Sequence, residues 1–246
     1  MKAIILAAGV GRRLETRLAG RPKCLLAVGG QTLLARLLDA LAAAAVREAV
    51  VVVGHGADAV REAIGASRAG MPVRYAFNPD YRKGAILSLW CAREELDDDV
   101  LVMDADVLCP PALIVRLVRS PHATCFLLDG SVTPSGEEQI LMARAGRVYD
   151  IAKTRSVPSS YDTFGESVGF LKVARADAPI LRSALEVAIA AGRDDIEHEQ
   201  VFPELMRRCA IGYERIDGVP WIEIDFPEDV ERAEREVLPR LADADV

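Results

Sequence analysis

The sequence predicts an α/β fold: a mostly parallel sheet flanked by helices, with a β-rich subregion in the second half. Three observations carry that expectation. Short apolar runs such as Ala49 to Val53 alternate with segments whose leucines recur at helical spacing. Runs of that kind, with no polar alternation, suit strands buried on both faces under crossover helices. After residue 123 the texture changes to successive strand-like segments bounded by turn residues.

Taken in order, Lys2 to Leu6 reads as the first strand, Gly9 to Gly30 as a glycine- and arginine-bearing loop, and Thr32 to Val46 as a helix. Ala49 to Val53 is the second strand, closed by Gly54-His55-Gly56, and a helix follows around Asp58 to Ile64. Val73 to Phe77, a loop holding Pro79 and Gly84, a helix from Ile86 to Leu96 and the strand Val100 to Met103 repeat the alternation. Strands alternating with helices imply right-handed crossovers and so a Rossmann-like sheet. Pro110-Pro111 opens a short helix. Ala123 to Leu128, Gln139 to Ala143, Arg147 to Ala152 and Ser167 to Val173 then read as strands, with Gly146 suited to a tight hairpin turn. Helices are expected over Pro179 to Ala191 and His198 to Cys209, and strands over Ile211 to Ile216 and Trp221 to Ile224. A charged helix from Pro227 to about Leu238 should end at Pro239. No linker, repeat or low-complexity tract divides the chain, so residues 1–246 are read as one domain.

Composition narrows the function. The 246 residues are 51% hydrophobic and 27% charged, enough apolar material for a large core. A net charge of -7 gives no basic footprint for a polyphosphate backbone, so no nucleic-acid partner is expected. The 5 cysteines are widely spaced with no C-x-x-C pair, which suggests reduced thiols in a cytoplasmic protein rather than a disulfide framework or a zinc site. The apolar start from Met1 to Ala8 is too short for a secretory segment, and no apolar run approaches the roughly 18 residues that a membrane span needs.

Two features carry chemistry. LAAGVGRRL, from Leu6 to Leu14, follows the first strand directly, at the carboxyl edge where open parallel sheets bind ligands. Gly9 and Gly11 let backbone N–H groups approach phosphate oxygens, and Arg12, Arg13 and Lys23 supply positive charge. RPKCLL, from Arg21 to Leu26, returns Lys23 to that loop after a proline-fixed bend. The loop has neither the third glycine of a dinucleotide fingerprint nor the G-K-[ST] of a Walker loop. In VLVMDADVL, Asp104 and Asp106 end a buried apolar strand as alternate residues on one side. Asp225, in WIEIDFPED, also follows a strand and precedes a helix, where it is either a metal ligand or an N-cap.

L-A-A-G-x-G-x-R-L followed by P-K-x-L resembles the signature of the nucleotidyltransferase superfamily that includes the sugar-1-phosphate nucleotidylyltransferases. That resemblance implies a nucleotide-binding half over about residues 1–123 and an acceptor-binding half with the last helix over about 124–246. It implies that Leu6, Ala7, Ala8, Gly9, Gly11, Arg12 and Asp104 line the nucleotide. Arg13 and Lys23 would be catalytic, stabilising the α-phosphate and the leaving pyrophosphate, and Asp106 and Asp225 would hold Mg²⁺. FNPDYRKGAILSLWCA, from Phe77 to Ala92, is similar to the N-P-x-Y and S-L-W region of CTP-dependent cytidylyltransferases acting on phosphocholine and aminoalkylphosphonates. On that likeness Asn78, Gly84, Ala85 and Ser88 face the nucleotide, while Lys153 in DIAKTRS and Glu166 in FGESVGF face the acceptor. The chain departs from the branch at Lys83-Gly84-Ala85, where Thr-Asn or Asn-Asn is common, and at Arg12, where a small hydroxyl residue is usual.

The reaction so implied transfers CMP from CTP to a small phospho-alcohol, phospho-amino-alcohol or phosphonate and releases pyrophosphate. The alternatives are a sugar-1-phosphate nucleotidylyltransferase using UTP, GTP or dTTP, and a non-catalytic nucleotide-binding regulator. An acceptor oxygen already ionised at neutral pH needs no general base, so His55, His122 and His198 are read as structural. The last helix, with Glu231, Arg232, Glu234 and Arg235, is either a solvated face or a homodimer contact.

Overall fold

A computed structural model describes residues 1–241. The strand β1 (Lys2–Ala7) leads through α1 (Glu15–Leu18) and a small hairpin of β2 (Ala27–Val28) and β3 (Gln31–Thr32) into α2 (Leu33–Ala43). Next come β4 (Ala49–Val53), α3 (Ala57–Ile64), β5 (Ser67–Arg68), β6 (Met71–Phe77), α4 (Ile86–Cys91), β7 (Val100–Asp104), β8 (Val107–Leu108) and α5 (Pro111–Arg119). The second half holds β9 (Thr124–Asp129), β10 (Gln139–Arg144), β11 (Arg147–Lys153), β12 (Thr163–Val173), α6 (Ala178–Ala190), α7 (Phe202–Arg208), β13 (Ile211–Arg215), β14 (Ile222–Glu223) and α8 (Pro227–Arg232).

The α/β class follows from where the apolar runs go. All five residues of β4 are buried, and β1 and β7 each leave only one residue half-exposed. These strands lie side by side and parallel in the order β7-β1-β4-β6. The ten-stranded sheet continues as β10-β11-β13-β9-β12-β7 on one side and ends in β5 on the other. Its second half is mixed: β12 runs antiparallel to both β7 and β9, while β13 is parallel to β9. Buried side chains of α2 and α5 pack on one face of the sheet, and those of α4, α6 and α7 on the other. Thr32 caps α2, its hydroxyl accepting from the N–H of Ala35 at 3.2 Å.

Prolines sit at two of the three differences from the expected helix boundaries. The segment read as one helix from His198 to Cys209 is a 3-10 turn, His198–Val201, followed by α7. Pro203 sits in the first turn of α7, where its missing N–H costs no helical bond. Pro239 does not end the last helix at Leu238. After α8 the chain continues through a wide turn, Ala233–Val237, into a 3-10 turn, Leu238–Arg240, whose first positions accept a proline. The helix expected from Ile86 to Leu96 stops at Cys91, and a 3-10 turn, Arg93–Glu95, follows.

Two features position the site. A third apolar cluster joins Leu14, Leu18 and Leu33 to Ile224, Val230 and Ala233, clamping the glycine loop against the C-terminal helix. Each fully buried leucine contributes about 2 kcal/mol to that clamp. Secondly, β12 serves both halves of the sheet. Its start pairs with β10 and its end with β7, β9 pairs with both parts across a register shift, and the chain turns between them at Gly169, φ +79°. A side chain at Gly169 would also meet Asp104 Oδ2 at 2.5 Å, so glycine is required there twice over.

Candidate active site

A cleft of about 450 Å³ opens along the carboxyl ends of β1 and β7. Leu6, Ala7, Ala8, Gly9, Gly11, Arg12 and Arg13 form one wall. Gly11 is left-handed at φ +66°, and a Cβ there would strike the Leu18 side chain at 2.8 Å, so the turn that opens the loop depends on glycine.

Lys23 reaches the floor of the cleft and joins two carboxylates that are distant in sequence. Its Nζ donates to Asp106 Oδ2 at 2.7 Å and to Asp225 Oδ1 at 2.5 Å, with the lysine side chain only 12% exposed. Burial pulls the ammonium toward neutrality, but Asp106 and Asp225 outweigh it and raise the lysine well above its usual range, so it is charged. Arg13 stands at the rim, 58% exposed, 3.5 Å from Asp225 Oδ2 and stacked 4.8 Å from the centre of the Phe226 ring. Asp225 does not cap α8. That work falls to Asp229, whose Oδ2 accepts from the N–H groups of Asp225 and Phe226 at 3.0 and 2.8 Å, leaving the Asp225 carboxylate for the cleft.

Asp106, Glu223 and Asp225 each bring a carboxylate oxygen within 4.8 Å of the others. Glu223 borders the cleft; burial of its carboxyl first, then Asp106 and Asp225, pushes it up to about 8. Asp106 Oδ1 is buried with no hydrogen-bond partner among the described residues. An all-oxygen set with an orphaned oxygen fits a hard divalent cation such as Mg²⁺. Asp104 belongs to a different group, beside His198 and Glu199. Burial, then Glu199, raises its carboxyl well above the usual range.

Gly84, Ala85 and Ser88 line the cleft beside Tyr81 and Lys83, and Gly84 has a packing role as well. A Cβ there would lie 2.3 to 2.4 Å from backbone atoms of Asp195 and Ile196. The same contact is stitched by Gly84 N–H to Asp194 O at 3.1 Å, Ile86 N–H to Ile196 O at 3.1 Å and the Lys83–Asp194 ion pair at 2.8 Å. Asn78 differs from its expected role. It is buried away from the cleft, its amide donating to Ser88 Oγ at 3.1 Å and its oxygen accepting from the N–H of Asp80 at 2.9 Å, so it shapes the loop from behind.

Lys153 and Glu166 line the far end of the cleft with Glu137, Glu138 and Gln139. Burial, followed by Glu138 and Asp129, raises the Glu166 carboxyl to about 7. Sequence reading missed Glu223, Glu199 and the cleft position of His198. Glu223 was open to discovery, since it stands two residues before Asp225 in a strand-like run and alternate residues share a side. Glu199 and His198 carry no local signal, because only the fold brings their turn to β7. His55 and His122 lie elsewhere: His55 Nε2 is 3.2 Å from Gly20 O, and His122 packs against Gly212.

The family model of the MobA-like NTP transferase domain matches residues 3–159. The CMP-5'-(3-aminopropyl)phosphonate synthase of Streptomyces rubellomurinus is 36% identical over 163 residues, 66% of this chain and 26% of that protein. The bifunctional IPC transferase and DIPP synthase of Rubrobacter xylanophilus is 33% identical over 245 residues, 96% of this chain and 52% of that protein. The chain therefore spans about half or less of these curated relatives. The CTP:phosphocholine cytidylyltransferase of Streptococcus pneumoniae superposes with a TM-score of 0.75 at 23% identity, covering 95% of this chain and 97% of that one, a likeness of fold. Among the described residues no helix is long and apolar enough to cross a membrane.

Proposed function

This chain belongs to the MobA-like NTP transferase family, and on that premise we propose that it transfers CMP from CTP to a small phosphorylated or phosphonylated acceptor, with Mg²⁺ as its metal. The observation that carries this reading is Lys23, held on Asp106 and Asp225 at the mouth of the glycine loop. The names of the two relatives, one a CMP-phosphonate synthase and the other an IPC transferase, support the acceptor class.

In this reaction an ionised acceptor oxygen attacks the α-phosphorus, a new P–O bond forms, the bond to the β-phosphate bridge breaks and pyrophosphate leaves. No protein nucleophile is needed, so the protein acts by positioning and by neutralising charge. The backbone N–H groups from Ala8 to Gly11 orient the triphosphate. Lys23 and Arg13 face the charge that builds on the α-phosphate and the leaving group. Asp106, Asp225 and Glu223 would hold Mg²⁺, which supplies charge neutralisation on the phosphate oxygens when bound. Gly84, Ala85 and Ser88 border the base, and Lys153 and Glu166 border the acceptor. The same chain would act in the cytoplasm, where CTP and phospho-acceptors meet.

The test is pyrophosphate release from CTP, UTP, GTP, ATP and dTTP with Mg²⁺. The acceptors are phosphocholine, phosphoethanolamine, aminoethylphosphonate, inositol and glycerol phosphates, and sugar 1-phosphates. Turnover with CTP and one phospho-alcohol or phosphonate is expected, and Asp106→Asn should abolish it. Turnover confined to a sugar 1-phosphate would overturn the base and acceptor assignment. Silence throughout would overturn the enzyme reading in favour of a nucleotide-binding regulator.

A further inference from the structure

Behind the carboxylates that grip Lys23, the cleft wall carries a second set of donors on different elements. Asp104 ends β7, whereas His198 and Glu199 lie in the turn before α7, and each offers a ligand atom within 4.8 Å of the other two. His198 is 4% exposed, and its Nδ1 has no hydrogen-bond partner among the described residues. That nitrogen lies 3.2 Å from Glu199 Oε2, but the alignment is wrong for a hydrogen bond, and the oxygen is itself buried and unpartnered. On the ring's other side, Nε2 is 3.9 Å from Asp104 Oδ1, beyond hydrogen-bonding reach. Phe202 meets the imidazole edge-on at 5.6 Å and fixes the ring plane. Among the described residues neither Asp104 nor Glu199 forms an ion pair with a lysine or arginine. The imidazole thus has a carboxylate near each ring nitrogen and bonds to neither, and a cation held by one ring nitrogen and both carboxylates would give the buried Glu199 oxygen the partner it lacks.

We propose that Asp104, His198 and Glu199 form a second divalent-cation site, separate from the Asp106, Glu223 and Asp225 set and favouring ions that accept an imidazole nitrogen, Zn²⁺ foremost and Mn²⁺ more weakly, over Mg²⁺. The selectivity follows from the donors. Mg²⁺ favours oxygen ligands and water, and the Asp106 set offers only oxygens; an imidazole nitrogen with two carboxylates suits ions further along the transition series. All three residues border the cleft, so an ion has a path in from solvent. Once bound it ties β7 to the 198–201 turn, two elements far apart in sequence. The inference rests on donor atoms alone and stands or falls separately from the reaction proposed above.

The test uses the full, nucleotide-free chain titrated with Mn²⁺, with free Mn²⁺ followed by electron paramagnetic resonance. Two ions per chain are expected, one of which Mg²⁺ displaces readily and one of which it does not. His198→Phe, which keeps a ring but no donor, and Glu199→Gln should each lose the Mg²⁺-resistant ion, while Asp106→Asn should lose the other. In the wild-type protein, electron spin echo of the resistant ion should show nitrogen modulation from the imidazole. A single bound ion that survives His198→Phe, or bound Mn²⁺ without nitrogen modulation, would overturn the proposal. The spin-echo result needs no variant, so it decides even if a substituted chain does not fold.

Discussion

Replacing Lys23 with Met should push metal binding and turnover in opposite directions. In the nucleotide-free protein the ammonium occupies the place that a divalent ion would take, donating to Asp106 at 2.7 Å and Asp225 at 2.5 Å. An ion that takes both carboxylates must displace it and break two charge-assisted hydrogen bonds, each contributing about 1.5–3 kcal/mol. Rehydration of the released ammonium returns part of that sum, leaving about 3 kcal/mol, or roughly 100-fold in affinity. Lys23→Met keeps the stem that packs on Gly11 and removes the competitor. Calorimetric titration with Mg²⁺, without nucleotide, should therefore show about 100-fold tighter binding in the variant. Pyrophosphate release should fall by about 10²–10³-fold, the usual loss when a preorganised charge at the transition state is removed. Unchanged or weaker Mg²⁺ binding in Lys23→Met would refute the reasoning, because the ammonium and the ion would not be sharing ligands.

Three further outcomes follow from the geometry. Gly84→Ala places a methyl 2.3 to 2.4 Å from the backbone of Asp195 and Ile196, which cannot swing aside as a side chain could; a loss of about 1–3 kcal/mol in denaturant unfolding is expected, and a neutral result would show that the contact is not rigid. Gly169→Ala combines a left-handed φ of +79° with a clash on Asp104 Oδ2, so it should cost at least about 1–2 kcal/mol and weaken Mn²⁺ binding, read by the same titrations. Burial, with Glu138 and Asp129, raises Glu166 from 4.5 to about 7, so the folded chain holds that proton more tightly than the unfolded chain does. Its contribution to stability is therefore complete below about pH 4.5 and is lost as pH rises through 7. Glu166→Gln, neutral throughout, should be more stable than wild type above pH 7 by up to about 2–3 kcal/mol and level with it near pH 4.5; a pH-independent difference between the two would count against the raised carboxyl.

Legibility in the sequence tracked how local each determinant is. The strands β1, β4 and β7 are read within a residue or so, because a continuous apolar run allows few other fates. The glycine loop, Lys23, Asp106 and Asp225 are legible because glycines, cations and strand-end carboxylates are unusual neighbours of such runs, and the fold brings Lys23 onto both carboxylates. Helix ends were harder: Pro239 reads as a stop yet sits at the start of a new turn where no N–H is required, and the helix expected to run through Pro203 divides into a 3-10 turn and α7. Asn78 falls outside the cleft lining, and a side chain that shapes a loop and one that touches a ligand look alike in sequence. His198 and Glu199 were hidden altogether, since their meeting with Asp104 depends on where α6 delivers the chain.

The pairing of β9 with β12 has a consequence for how such proteins could diverge. Asp129, the last residue of β9, sits opposite Glu166 in the ladder, so residues 130–165 leave β9, add β10 and β11 to the sheet and return beside their starting point. The rest of the framework meets that excursion along the β10–β12 ladder, where β11 touches β13, where Arg147 bonds the carbonyls of Met206 and Cys209, and in the core, where Leu141, Ala143, Val148 and Ile151 pack. It is in effect a cassette with neighbouring ends, carrying Lys153 and stopping just short of Glu166. A lineage could remodel its loop segments, 130–138 and 154–162, while the buried residues of β10 and β11, together with β1, β7 and the glycine loop, stayed as they are.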